Sequence, residues 1–249
     1  MPAITSLQNP RLKALRKLHT RRGRATSGRF LVEGEDLVQA AERAGRAAVE
    51  GFRLAGSGLG AEESFLDVEE SAMKDVSSLG SGTRVIGVYE QRWVAPRGPL
   101  CVYLHGVGDP GNVGTVLRSA QAFGASCVAL GPGCADPHSP KAVRASMGAI
   151  FAVELARAGS PAELPGRLIA LTADASEPLQ EALARLPAEE NVTLLIGAER
   201  DGLPESMIAA CETSARIPIA SESLNAAMAA TIALYERTRK PPPFLKGPA

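Results

Sequence analysis

From Leu100 onward the chain alternates short apolar runs with helical patterns, and this rhythm limits the fold more than any other feature. The runs at 100–104 (LCVYL), 126–130 (SCVAL), 168–171 (LIAL) and 192–196 (VTLLI) are continuous and rich in branched residues. A strand that is apolar at every position is covered on both faces, as in a parallel sheet. Helical patterns near 113–123, 140–148, 179–186 and 204–211 fall between the runs, and a last helix is expected from about Ser223 to Arg239. Strands alternating with helices predict an α/β fold built on a parallel sheet. Ligands of such folds sit beyond the carboxyl ends of the strands, which directs attention to the loops there.

The first part reads differently. Phe30–Ala44 is expected to form one amphipathic helix, with short strands at Phe52–Leu54 and Arg84–Tyr89. The stretch Ala95–Pro99 (APRGP) has the breaker composition of a linker. A chain of 249 residues is long enough for two domains, here 1–95, a small α/β unit, and 96–249.

Lys plus Arg and Asp plus Glu each number 27, so the formal charge is zero. That balance is a cancellation. Met1–Arg29 holds eight bases (Arg11, Lys13, Arg16, Lys17, Arg21, Arg22, Arg24, Arg29) and no acid, whereas Phe30–Glu90 holds twelve acids against five bases. Leu7, Leu12, Leu15 and Leu18 recur at helical spacing and predict a buried stripe opposite a basic face. Arg21–Arg29 (RRGRATSGR) is expected to be a flexible basic loop. Clustered cations of this kind are the electrostatic footprint of a nucleic-acid binder, though most basic runs are only solvated faces.

Several classes fall away. No apolar run approaches the roughly 18 residues of a membrane span, and the N-terminal stretch lacks the apolar core of a secretory signal. Cys101, Cys127, Cys134 and Cys211 form no CxxC pair, and His19, His105 and His138 offer no ligand spacing, so reduced thiols, a cytoplasmic setting and no metal are expected. Gly106-Val-Gly108-Asp-Pro-Gly111 matches GxGxxG after a strand, but the second strand ends Ala129-Leu-Gly-Pro-Gly133 without the acid that would hold a dinucleotide ribose. Pro110 also removes an N–H from that turn. No P-loop is present, and Arg144-Ala-Ser146-Met-Gly148 lacks the first glycine of a nucleophile elbow.

Three segments remain: Asp109–Ala125 (DPGNVGTVLRSAQAFGA), Leu194–Pro204 (LLIGAERDGLP) and Ile217–Ala230 (IPIASESLNAAMAA), the last followed by TIALYE. In order and spacing they resemble the three motifs of the SpoU (TrmH) family of S-adenosylmethionine-dependent RNA ribose 2′-O-methyltransferases. The resemblance covers roughly Leu100–Arg239 and extends to Ser139–Gly148 (SPKAVRASMG). The opening segment resembles the family's N-terminal substrate-binding domain, related to small ribosomal RNA-binding proteins.

The resemblance implies a deep trefoil knot at the carboxyl end of the sheet, with the cofactor bent into the knot loops. It implies catalytic roles for Asn112, Arg118, Glu199 and Asn225, and cofactor contacts from Thr172, Gly197, Ile217 and Leu224. A guanidinium stays protonated, so Arg118 is expected to stabilise a developing alkoxide. It should share the side of its helix that bears Asn112. Asn112 is open to two uses, capping a helix that begins at Val113 or holding Arg118 or the ribose. Glu199 would orient Arg118 or the ribose, with glycines 197 and 202 allowing close backbone approach. RNA contact is expected from Arg11, Lys13, Arg21, Arg22, Arg24 and Arg144. The loop IASE between Pro218 and Ser223 is about two residues shorter than the family pattern, which touches the detailed fit around the cofactor. Alanines 226, 227, 229, 230 and 233 on the last helix fit a homodimer formed through this region, or a helix packed on its own sheet. Ribosomal RNA is favoured as partner; the alternatives are transfer RNA, a catalytically inactive knotted RNA-binding protein, or a methyltransferase of small molecules or proteins. DNA lacks the 2′-hydroxyl and is excluded.

Overall fold

A computed structural model describes residues 3–59, 64–79, 82–221 and 223–239. The chain begins with α1 (Pro10–Leu18), α2 (Arg21–Ser27), β1 (Arg29–Glu33), α3 (Glu35–Arg43), β2 (Glu50–Leu54), β3 (Leu66–Val68), α4 (Glu70–Val76) and β4 (Val85–Glu90). It continues with β5 (Leu100–Leu104), α5 (Pro110–Ala122), β6 (Cys127–Leu130), α6 (Pro140–Ser146), α7 (Ala149–Ala152) and β7 (Glu154–Arg157). The last third holds β8 (Arg167–Leu171), α8 (Leu179–Ala184), β9 (Val192–Ile196), α9 (Glu205–Ala209), β10 (Thr213–Ala215) and α10 (Ala226–Thr238).

Packing groups residues otherwise than a single cut in the chain would. One compact unit takes Met1–Val94, Gly108–Arg118 and Cys134–Leu155; the other takes Ala95–Val107, Ser119–Gly133 and Ala156–Ala249. The division passes through α5 and β7.

In the first unit a four-stranded sheet runs β1-β4-β2-β3, antiparallel at β1–β4 and β4–β2 and parallel at β2–β3. One face carries the core: Leu12, Leu15 and Leu18 of α1 pack with Leu31, Phe52, Ile86, Val88 and Met73. Leu7 lies outside the helix and is exposed. The helix starts at Pro10 because Pro is preorganised there and the Asn9 side chain accepts from the Arg11 amide.

Two expectations fail here. Arg21–Arg29 is not a loop. Thr20 caps α2 by accepting from the Gly23 amide, and Gly28 closes it at φ +67°. Phe30–Ala44 is not one helix but β1 followed by α3, broken at Gly34 with φ +104°. Phe30, Leu31 and Val32 follow one another in β1 because both its faces are covered. Leu31 faces the core just described, while Phe30 meets Tyr89, Phe151 and His138 at ring distances of 6.1, 6.0 and 4.7 Å.

In the second unit the large sheet runs β10-β8-β9-β5-β6-β7, with parallel pairing at β10–β8, β8–β9, β9–β5 and β5–β6. Every residue of β5 and β9 is buried, which explains their unbroken apolar sequences. The helices predicted after Leu100 appear, four of them shortened at their ends, while α5 begins at Pro110, three residues before its expected start. β7 and β10 carry too few apolar residues to have been foreseen. The alanine pattern of α10 is internal: Ala226, Ala227, Ala230 and Ala233 are buried, and it is Met228 and Tyr235 that face outward. Among the described residues no helix is long and apolar enough to cross a membrane, and no cluster of His, Cys, Asp or Glu is arranged to hold a metal. All four cysteines are free thiols.

Candidate functional site

Three consecutive strand ends of the second unit build one cavity of about 370 Å³, inside the size range of small-molecule sites. The loop after β8 supplies Thr172 and Asp174; the loop after β9 supplies Gly197, Glu199 and Asp201; the segment after β10 supplies Ile217, Ile219 and Leu224. Thr172, Gly197, Ile217 and Leu224, the four expected cofactor contacts, therefore lie in one place, together with Glu199.

The walls are held by backbone. Ala198 and Gly202 exchange N–H···O bonds of 3.2 and 3.0 Å, folding the chain back on itself directly after β9. A side chain at Gly197 would place its Cβ 2.1 Å from the Gly202 carbonyl carbon, so this turn closes only with glycine there. Arg216 is a positioning residue that the sequence reading missed. Its amide donates to the Glu177 carbonyl at 2.8 Å and its Nη1 donates to Ala175 at 2.7 Å, tying the loop after β8 to the exit of β10. The only signal was a base directly before Ile217.

The donor set fits a compact cationic ligand with an aromatic end. Ile208, Ile217, Ile219 and Leu224 offer apolar surface, while Asp174, Glu199 and Asp201 bring three carboxylates against the single guanidinium of Arg200. Ile219 and Ser223, at either end of the short loop, both line the cavity; Glu222 lies outside the described residues. Asn225 caps α10, its Oδ1 accepting from the Ala227 and Met228 amides at 2.9 and 3.3 Å. α10 is tied to the second half of α5 through Ser119 and Thr231, whose hydroxyls lie 2.6 Å apart.

Asn112 and Arg118 belong to the first unit's half of α5, half-buried and exposed respectively. Asn112 is not the helix cap. α5 starts at Pro110, and Asp109 Oδ1 accepts from the Gly111 and Asn112 amides at 2.6 and 3.1 Å. Asp109 is also paired with Lys141 at 2.7 Å, and that lysine holds its carboxyl below the usual carboxylate range. The amides that a phosphate-binding GxGxxG turn would present are thus occupied by a side chain. Six positions separate Asn112 from Arg118, about one and two-thirds turns, so they do not share a stripe of the helix.

The cations expected on RNA divide in two. Arg21, Arg22 and Lys13 are exposed and carry no ion pair among the described residues, whereas exposed Arg11 lies 3.2 Å from Glu50. Arg144 is half-buried and donates to Ser78 Oγ at 2.9 Å. Arg24 is a correction: it is 3% exposed, its Nε donates to Asp136 at 2.8 Å, and its Nη1 donates to the Leu18 and His19 carbonyls. It braces the end of α1 and is withdrawn from the RNA surface. Burial pushes the Asp136 carboxyl upward, but hydrogen bonds from His138 and Arg24 outweigh it and hold the group well below the usual range.

The SpoU rRNA methylase family model matches residues 99–235, and that of the MRM3-like substrate binding domain matches residues 9–87. The chain belongs to the SpoU rRNA methylase family. It is 29% identical to the 23S rRNA (guanosine(2553)-2′-O)-methyltransferase RlmP of Bacillus subtilis, over 94% of this chain and 98% of that protein. An AdoMet-bound rRNA methyltransferase from Sinorhizobium meliloti matches with TM-score 0.82 and 31% identity, covering 95% of this chain and 97% of that one. AviRb from Streptomyces viridochromogenes, a SpoU methyltransferase in complex with AdoMet, matches with TM-score 0.81 and 25% identity over 93% and 97%. The large-sheet domain has the knotted SpoU fold, an exception to the near absence of knots in proteins.

Proposed function

We propose that the protein transfers a methyl group from S-adenosylmethionine to the 2′-hydroxyl of a ribose in ribosomal RNA. The carrying observation is the single cavity that gathers Thr172, Gly197, Glu199, Ile217 and Leu224 from three strand ends of a SpoU chain. Ile217 and Leu224 would flank the adenine; Thr172 and the backbone at Gly197 would hold the rest of the cofactor. When bound, the cofactor supplies an electrophilic methyl group on a sulfonium.

The chain's residues then have to position and stabilise. That methyl would pass to the ribose 2′-oxygen, the sulfur keeping the electron pair of the bond it loses, and the hydroxyl proton would go to a phosphate oxygen of the RNA. Arg118, permanently charged, stabilises the negative charge growing on the 2′-oxygen. Asn112, on another face of α5 from Arg118, is left to the ribose, as are Glu199 and Asn225. Residues 1–95 form the substrate-binding part, with Arg11, Lys13, Arg21 and Arg22 on RNA phosphates, and 96–249 the transfer domain, which adds Arg144. Met228 and Tyr235, 60% and 52% exposed and two turns apart on α10, support a homodimer through this helix. Free thiols support a cytoplasmic setting.

Incubation with tritiated cofactor and total ribosomal RNA tests the reading. Label should enter RNA as alkali-stable 2′-O-methyl nucleotides, and Arg118→Ala should abolish it while calorimetry shows unchanged cofactor affinity. Intact cofactor binding with no label in RNA overturns the reading.

A further inference from the structure

A second cavity of about 370 Å³ lies wholly within the first unit, where α1, α2 and the strands β2 and β4 meet. We propose that it is a pocket for one unpaired nucleotide of the RNA, with the base inside and its phosphate at the rim. The inference rests on the reading of the chain as an RNA methyltransferase and assigns a particular site to its substrate.

The floor is apolar. Leu15, Leu18 and Val88 are nearly inaccessible as residues, yet they line the cavity. No aromatic ring lines it, so a base would rest on aliphatic surface and against guanidinium planes, the other common partner of an unstacked RNA base. Arg22 and Arg29 at the rim supply those planes, and Lys17 adds a third cation. Lys17, Arg22 and Arg29 line the cavity, and none has an ion pair among the described residues. The lone carboxylate present, Glu50, is already 3.2 Å from Arg11. The rim is therefore net positive where a phosphate would lie.

Hydrogen-bonding capacity points the same way. The Thr20 hydroxyl is engaged with the Lys17 carbonyl and the Gly23 amide, and Ser27 Oγ donates to the Gly23 carbonyl. Thr26 lines the cavity with a hydroxyl that makes no such bond among the described residues, leaving a donor and acceptor for a base edge. The chain's own last residues, 240–249, carry Lys240 and Lys246 and no acid, so a basic rim disfavours them as the occupant.

The test uses the full chain, ¹⁵N- and ²H-labelled, titrated to millimolar concentration with AMP, GMP, CMP and UMP, and separately with inorganic phosphate. Expected are saturable amide shifts at Ala14, Thr26 and Ser27 with nucleotides, and smaller, unsaturated ones with phosphate. Ala14→Trp, at an exposed position on the cavity wall, should weaken nucleotide binding at least tenfold. Arg22→Gln with Arg29→Gln should weaken it while leaving the rest of the spectrum in place. No saturable shift here, equal shifts with phosphate, or shifts that emerge only after removal of residues 240–249 would each overturn the proposal. Cofactor binding and label transfer are read separately, so failure of the pocket leaves the methyltransferase reading standing, and failure of that reading is told apart from failure of the pocket.

Discussion

Replacing Arg24 by methionine separates a brace from an RNA contact. The side chains of Arg24 and Asp136 are 4% and 15% exposed, so solvent screens them little. Nε and Nη2 each lie 2.8 Å from Asp136 Oδ2, and Nη1 lies 2.8 and 2.9 Å from the Leu18 and His19 carbonyls. Methionine keeps much of the aliphatic stem but strands a buried carboxylate and two carbonyls. Breaking a buried pair from one side costs about 3–5 kcal/mol. In a chain of this size, 3 kcal/mol lowers the melting midpoint by roughly 6–12 °C. Urea and thermal unfolding can be followed by the sole tryptophan, Trp93, whose ring lies 5.3 Å from His138, next to the pair. Arg24→Met with Asp136→Asn should recover part of the loss. The pH dependence has a fixed sign. Asp136 is depressed in the folded state, so its contribution is complete above the ordinary carboxylate pKa of about 4 and fades as pH falls through the folded value. The Arg24→Met protein should lose less between neutral and acid pH than the wild type. A change below about 0.5 kcal/mol, the scale of an ordinary surface substitution, or a reduced salt slope of RNA binding, would refute the role given to Arg24.

Three other outcomes follow from the geometry. Arg21→Gln with Arg22→Gln should flatten the dependence of log K on log salt by roughly 0.7 per lost phosphate contact to single-stranded RNA, with no change in melting temperature; an unchanged slope places the RNA elsewhere. Gly197→Ala drives a Cβ into the Gly202 backbone, and calorimetry should show cofactor affinity at least tenfold weaker; wild-type affinity would mean that the turn does not shape the site. Asn225→Ala should cost about 1 kcal/mol by uncapping α10, whereas Asn225→Ser should restore stability but not methyl transfer. Full activity of the serine variant would reduce Asn225 to a cap.

What the sequence revealed, and what it concealed, follows from where the information sits. β5 and β9 were legible because every residue in them is buried, so composition alone marks them. β1 was misread because Glu33, Glu35 and Asp36 gave the stretch a helical alternation. The strand ends only through the positive φ of Gly34, and Glu33 is buried in bonds from Ser77 and Ser78, more than forty residues away. Arg24 looked like its neighbours because its partner, Asp136, lies 112 positions along the chain. Thr172, Gly197, Ile217 and Leu224, which share one cavity, were singled out by motif and not by periodicity, since the loops bearing them have no regular spacing. Arg216, which pins two of those loops, is visible only once β10 is placed beside β8.

The same long-range pairing explains how a chain of zero net charge can serve a polyanion. Five of the twelve acids of the 30–90 stretch are spent inside the first unit: Glu35 on Arg84, Asp67 on Arg53, Glu70 on Lys74, Asp75 on Arg16 and Glu50 on Arg11. Neutralised pairs contribute little field beyond their own dimensions, and at physiological salt a charge is felt over only about 8 Å. An approaching phosphate therefore meets the uncompensated cations of α1 and α2, Lys13, Lys17, Arg21 and Arg22, together with Arg29, and not the total over the chain. The net charge is a sum over distances that RNA never samples at once. What selects the partner is the local remainder after internal pairing.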